Sequence, residues 1–542
     1  MALLDLYTTP LTAKTAAHLL RRATLGPTQT EITNFTGLTA QQAVQQLIDN
    51  ANYWPAPPVD IDKNQSTAGQ TYLDKPFNHP RNFDFGLYLR YWWMSQMASQ
   101  SSPPSLLDKL TLFWQNHFVT TRSEVGDYRF LNQYLLRLRN GALGNFRTLV
   151  TQITKEPAML RYLNGNENIV GKPNENYARE LQELFTVGAF DVNGNKNYTE
   201  DDVKAAARVL TGWQYTNYEA DNSTSFATVF STDKHDQTDK SFSSLYNNTI
   251  IQGRSSGSAG DDELTDLVNI LLNHPQAPRF VCRKLYRWYI NPEVTPNAEA
   301  NVIVPLAQFF ASASNDYAIQ PVIAKLLTSQ AFFDTANIGA IVKSPAELAI
   351  GSMRFFNQPV PDMASDYDAF KVYFDFLSYR MDDMQMHIMD QSSVFGYEPY
   401  YQTGYSRIWI NTTTMGLRYQ FMDVFVFRYL QIKPNYLMGI DVLAWAISLQ
   451  SSFANVSTVP AITCVDILNG FTKNLFAVDL PATQRDFLVD TIMMQGLPRT
   501  SWVFQWNLYR TSTADLGAKA EVLSRLQNLM QYLLRMAEYH IC

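Results

Sequence analysis

Residues 173 to 188 read PNENYARELQELFTVG. Tyr177, Leu181, Leu184 and Phe185 recur at three- and four-residue spacing, which at 100° per residue makes one apolar stripe of an amphipathic helix. Asn174 is placed to cap that helix after Pro173, Glu175 suits its positive end, and Gly188 is a stop signal. The same phasing puts Asn176, Glu180 and Glu183 on one line beside the buried face. Two carboxylates so placed can share a cation. Desolvated together, they can instead push one carboxyl up, giving a proton donor beside an ionised base. The plainer alternative pairs both with arginines and leaves them structural.

Working outward, helical spacing dominates. Leu106, Leu110, Phe113 and Trp114 form one stripe, and Val203, Ala206, Ala207 and Leu210 form another. The fold class expected is all-α: a large multi-helix globular domain with long irregular loops and at most a small β-hairpin. Irregular stretches are read at 51–81, 216–260 and 382–411, with the hairpin in the second. Neither a repeat nor a clear linker is visible, so 1–542 reads as one compact helical unit. The one weak subdivision falls near 340, separating a motif-bearing part (1–340) from a C-terminal helical part (341–542).

Of the 542 residues, 46% are hydrophobic and 17% charged, a composition that suits a packed core and argues against disorder. The net charge of −7 is spread out, without the lysine and arginine block a phosphate backbone would need, so nucleic acid is not an expected partner. Cys282, Cys464 and Cys542 are far apart and show no CxxC spacing. The first twenty residues lack the three-part pattern of a secretory signal, so the expectation is a cytoplasmic protein or a processed envelope or secreted form. No transmembrane segment is expected, because the most apolar stretch, YLMGIDVLAWAISLQ, is too short and carries Asp441.

His117 lies four residues after Phe113 and seven after Leu110, on the apolar stripe of TLFWQNHFVT. A buried imidazole needs a polar partner, which could be a metal, a carboxylate such as Glu180, or a backbone carbonyl. His235 and Asp236 form an HD step of the kind found in metal-dependent phosphohydrolases, although a dipeptide recurs by chance. Glu200, Asp201 and Asp202 follow Thr199 and read as helix capping. Arg279, Arg283, Lys284 and Arg287 suit an anionic ligand, a solvated face or pairing with buried carboxylates. The HExxH, GxSxG, GxxxxGK[ST] and GxGxxG signatures are absent, which disfavours zinc-helix and serine-triad hydrolysis, nucleotide hydrolysis and classical nucleotide or flavin cofactors.

Four long stretches, HLLRRATLGPT (18–28), LDKLTLFWQNHFVT (107–120), PAMLRYLNGNENIVGKPNENYARELQELFTVG (157–188) and YTEDDVKAAARVLTGW (198–213), together resemble the Domain of Unknown Function 1800 family. HDQTDKSF (235–242), PRFVCRKLYRWYI (278–290), VKSPAELAIGSMRFF (342–356), and SVFGY followed by WINTTT extend the resemblance over essentially the whole chain. It implies a bacterial protein, common in envelope-rich and environmental species and often encoded beside an alkaline-phosphatase-like protein. It carries no established reaction. Position by position, the family's strongest polar positions fall on His117, Asn174, Glu175, Asn176, Arg179, Glu180, Glu183, His235 and Asp236. Two departures bear on chemistry. Where the family often reads WHNHF, this chain has Trp114, Gln115, Asn116 and His117, and where Gly-Trp is usual it has Gly396 and Tyr397.

Two functions follow as expectations. One is a pocket enzyme with Glu180, Glu183 and His117 as catalytic groups, Asn174, Asn176 and Arg179 as binding groups, and His235 with Asp236 as ligands should a divalent metal be used. Its substrate would be an envelope or extracellular compound to hydrolyse or modify. The other is a non-catalytic helical scaffold that binds a partner such as the alkaline-phosphatase-like protein.

Overall fold

The computed structural model describes residues 2–400, 404–450, 459–512 and 514–542. It is an all-α fold with three two-stranded antiparallel ribbons. Of these, Trp213–Tyr215 with Thr228–Phe230, and Lys240–Ser241 with Ile250–Ile251, occupy the region where a hairpin was expected. The third, Leu430–Lys433 with Tyr436–Met438, was not read from the sequence. It takes up YLM, the beginning of the most apolar stretch, whose remainder forms the short Val442–Ser448 helix. Among the described residues no helix is long and apolar enough to cross a membrane.

Helix starts follow the cap residues. Thr12, Thr28, Thr39, Thr199, Ser344 and Thr463 each accept from the third helical N–H while that residue's side chain returns a bond to the cap. The 51–81 connection is irregular, as expected, but pinned. Asp60, fully buried, accepts from both terminal nitrogens of Arg81 at 3.1 and 3.0 Å and from the Thr67 hydroxyl at 2.7 Å. The stretch from Asp382 to Asn411 is also largely irregular; its residues 401–403 lie outside the described residues.

A single cluster of buried apolar side chains runs from Leu11 to Tyr539. Inside it lies an ion pair between Lys109, on the Leu107–His117 helix, and Glu347, on Pro345–Phe355. Lys109 is 1% exposed and Glu347 7%. Burial works to raise the Glu347 carboxyl, but Lys109 and the Ser344 backbone and hydroxyl outweigh it and hold it below the usual carboxylate range. The other Glu347 oxygen accepts from the Ser344 N–H at 2.7 Å. One glutamate thus caps its own helix and binds a helix 238 residues away.

Removing one member of such a pair strands the other charge in the core. Lys109→Met is expected to cost about 3–5 kcal/mol, whereas Lys109→Met with Glu347→Leu recovers most of the loss. Urea unfolding of the parent, single and double variants measures this, and a double variant no more stable than the single would count against the pair as the source of the effect.

Candidate functional site

The stretch read first as one α-helix is two kinds of helix. Glu175–Glu180 is α-helical, and Leu181–Thr186 widens to a π-helix. The Asn174 side chain caps the start, accepting from Asn176 N–H at 3.0 Å. At the far end the Val187 and Gly188 N–H groups both reach the Gln182 carbonyl at 2.9 Å. Gly188 has φ +85°, and a Cβ there would meet the Phe280 ring at 2.8 Å, so only glycine fits this stop. The wider turn also breaks the 100° phasing. Gln182 and Thr186 turn fully inward, while Leu184, expected on the buried stripe, is only partly buried.

The helix ends at Thr186, so the carbonyls of its last turn need partners from outside it. His117 places Nε2 2.9 Å from the Phe185 carbonyl, and Lys284 donates to the Leu184 carbonyl at 3.0 Å. With Nε2–H donating, His117 Nδ1 is an acceptor, and Lys284 Nζ lies 3.1 Å from it. Burial, then the Lys284 charge, hold His117 well below the usual histidine range. Burial also brings Lys284 down to about 7. His117 therefore closes the π-helix from inside as a neutral imidazole. It makes no hydrogen bond to Glu180 or Glu183, so the expected convergence of histidine and carboxylates on one cavity does not form.

The carboxylates themselves are open to solvent in part. Glu183 accepts from the Tyr198 hydroxyl at 2.6 Å. Glu180 accepts no hydrogen bond from a described residue, and burial followed by the Glu183 charge push it up to about 7 against an ordinary 4.5. Tyr162 stands nearby, its phenol pushed up to about 12 by burial and by the charges of Glu124 and Glu180. Neither glutamate takes the arginine partner of the structural alternative. Arg179 instead grips Glu200 through both terminal nitrogens at 3.0 and 2.7 Å, with Glu175 3.5 Å away. The Asn176 side chain, which shares the exposed face, makes no hydrogen bond to a described residue.

His235 and Asp236 face different partners. His235, 2% exposed, has Nδ1 2.9 Å from the Thr211 carbonyl, and its Nε2 lies 3.2 Å from Glu263 but off the line of a hydrogen bond. Lys240 occupies the other Glu263 oxygen. Asp236 accepts from Arg208 Nε at 2.7 Å and from the Thr238 hydroxyl at 2.6 Å. Among the described residues no group of three His, Cys, Asp or Glu side chains is placed to hold a metal ion. A cation at this step would have to displace Lys240 or Arg208.

The second departure from the family pattern meets Asn116, the residue next to the first. Gln115 Nε2 donates to Gln391 Oε1 at 2.9 Å, and Asn116 Oδ1 accepts from Tyr397 N–H at 2.7 Å. Gly396, at φ +84°, lies so close that a Cβ would come within 2.5 Å of Asn116 Oδ1. These residues join the 107–120 and 392–397 stretches rather than lining the glutamate site.

Tyr198, Tyr162 and Lys284 were not singled out for these roles. Tyr198 directly precedes the Thr199 cap, and that cap fixes where its ring points. A signal existed for Lys109, since a lysine beside Leu106, Leu110 and Phe113 has few routes to water. A family model described as "Protein of unknown function (DUF1800)" matches residues 18–541. No curated protein and no solved structure matches the chain.

Because the folded Glu180 carboxyl titrates above its unfolded value, the native state holds more protons between about 4.5 and about 7, and stability falls as pH rises through that window. Glu180→Gln is therefore expected to raise the urea midpoint above about pH 7 and to leave it unchanged below about pH 4.5. A gain of equal size at both ends would show that burial of the side chain, not its charge, sets the effect.

Proposed function

The chain belongs to the DUF1800 family over essentially its whole length, and, as that family description assigns no reaction, we propose from the site itself that it is an acid–base enzyme acting through Glu180. The observation that carries this reading is one carboxyl, partly exposed and without a partner, beside a second carboxylate tied to a tyrosine. A carboxyl at about 7 is present in both forms near neutral pH, so it can give a proton to a leaving group or take one from an attacking water. Glu183 supplies the neighbouring negative charge, and the Tyr198 hydroxyl fixes its position. Asn176, exposed on the same helix, would orient a substrate, and Arg179 would join it only by releasing Glu200.

Hydrolysis or modification of an envelope or extracellular compound fits an exposed acid–base pair of this kind. The acid–base step needs no metal. A divalent cation at His235 and Asp236 would belong to a separate centre, reached only after Lys240 or Arg208 moves. The second reading, a helical scaffold for an alkaline-phosphatase-like protein, draws on the inward-turned His117 and His235, whose polar atoms serve packing.

Purified parent and Glu180→Gln proteins, assayed on chromogenic glycosides, phosphoesters and acyl esters across neutral pH, distinguish the two. The enzyme reading expects turnover of one class that drops about 10²- to 10⁴-fold in Glu180→Gln, with a pH limb near 7 that vanishes in the variant. Equal rates in both proteins would sink it. No turnover on any class, together with co-purification of the phosphatase-like protein, would favour the scaffold.

A further inference from the structure

A recess away from the glutamate site has the makings of a second binding site. Its volume is about 50 Å³, several times the roughly 10–15 Å³ that one water needs. Thr24 and Leu25, from the 18–28 stretch, Asp108, from 107–120, and Arg354, from 342–356, line it together with Arg139 and Ser102. Three of the stretches that carry the family resemblance thus meet at one small cavity.

Arg354 serves as its fixed wall. Its guanidinium donates to the Gly26 carbonyl at 2.6 Å, to Glu31 at 2.7 Å and to the Ser99 carbonyl, so all three nitrogens are already held by the protein. Arg139 differs. It is 5% exposed, its one side-chain hydrogen bond runs from Nη1 to Asp108, and Nε has no partner among the described residues. The Nε and Nη2 edge of a guanidinium is a planar fork that matches two oxygens of a phosphate or carboxylate. The buried Nε without a partner is costly, and a bound oxyanion would satisfy it.

Asp108 narrows the choice. Only Oδ1 is used by Arg139, and Oδ2 accepts no hydrogen bond from a described residue, so it is left as an acceptor on the wall of the same recess. An oxyanion with no proton meets a carboxylate there and is repelled. One that carries its own proton accepts from Arg139 and donates to Asp108. We propose that this recess binds a single protonated oxyanion, the hydrogen-phosphate group of inorganic phosphate or of a phosphomonoester, held between Arg139 and Asp108. Its size admits the oxyanion alone. The body of an ester would lie in the adjoining groove of about 380 Å³, which shares Tyr53, Gln96 and Ser99 with the recess and continues past Pro55 and Pro57.

Calorimetric titration of the full chain at fixed ionic strength, with inorganic phosphate, sulfate and phenyl phosphate as separate probes, tests this. Phosphate is expected to bind one-to-one and at least about ten-fold more tightly than sulfate. Arg139→Gln should weaken phosphate about 10- to 100-fold, and Asp108→Asn should close the gap between phosphate and sulfate. Ser102→Phe, at the partly buried mouth, blocks the recess without disturbing the ion pair and should abolish binding even if Arg139→Gln fails to fold. Phenyl phosphate binding more tightly than phosphate assigns the site to esters, and equal or weaker binding assigns it to the free ion. Absence of saturable phosphate binding, equal affinity for sulfate in the parent, or binding that survives Ser102→Phe would overturn the proposal.

Discussion

The Lys109–Glu347 ion pair is the point on which the packing turns. Two opposite charges taken from water repay the loss only if each is held in good geometry, and Glu347 achieves this by using one oxygen for Lys109 and the other for the Ser344 backbone. Other cations gather round that carboxylate. Arg22, Lys343 and Arg418 all feel its charge, and each is pulled below its ordinary range by burial, Lys343 and Arg418 to about 7 and about 10. They spend their N–H groups on backbone carbonyls, most of them far away in sequence. Arg22 donates to Asn337 at 2.8 Å, Lys343 to Tyr539 at 2.6 Å, and Arg418 to Trp409 and Lys343 at 2.9 and 2.8 Å. Cations from both halves of the chain thus surround one carboxylate while tying down backbone carbonyls between Asn337 and Tyr539.

A similar economy governs the π-helix. The last turn of Leu181–Thr186 presents carbonyls that would be costly if left alone in the interior. His117 and Lys284 answer them from two other helices. Inward rotation of Gln182 brings its amide to the Ala178 carbonyl and to the Tyr246 hydroxyl, each at 3.0 Å. With the inner face sealed this way, Glu180 and Glu183 stay at the outer edge, where burial, and after it the Glu183 charge, pushes Glu180 up to about 7. The packing that neutralises His117 is therefore the same packing that leaves the glutamates chemically usable. The small oxyanion recess repeats the pattern on another face, where Arg354 is consumed by the wall and Arg139 retains an open edge.

Much of this was legible before any coordinates. Cap residues such as Thr199 and Ser344 announce their helices because their bonds close within four residues. Apolar spacing gave the all-α class, since burying a stripe at period 3.6 needs no knowledge of the partner surface. The line of Asn176, Glu180 and Glu183 was found the same way. What the phasing could not contain was the switch from α to π geometry after Glu180, because its last turn is met by His117 and Lys284, respectively 68 and 100 residues along the chain from the carbonyls they bind.

By itself, then, the sequence determined helix class, most helix starts, the glycine stop at Gly188 and the presence of two glutamates on a polar edge, all consequences of interactions that close locally. Tertiary structure alone decided which polar residues face one another. It gave Glu183 to Tyr198 and Arg179 to Glu200, chose the Phe185 carbonyl for the buried His117, turned His235 inward, parted Asp236 from His235 by way of Arg208, and brought Asp108 to Arg139. The physical reason is range. A cap or an apolar stripe is satisfied within a few residues, but a buried charge is satisfied only by whatever the fold carries to it, and that address is not written near the charge itself.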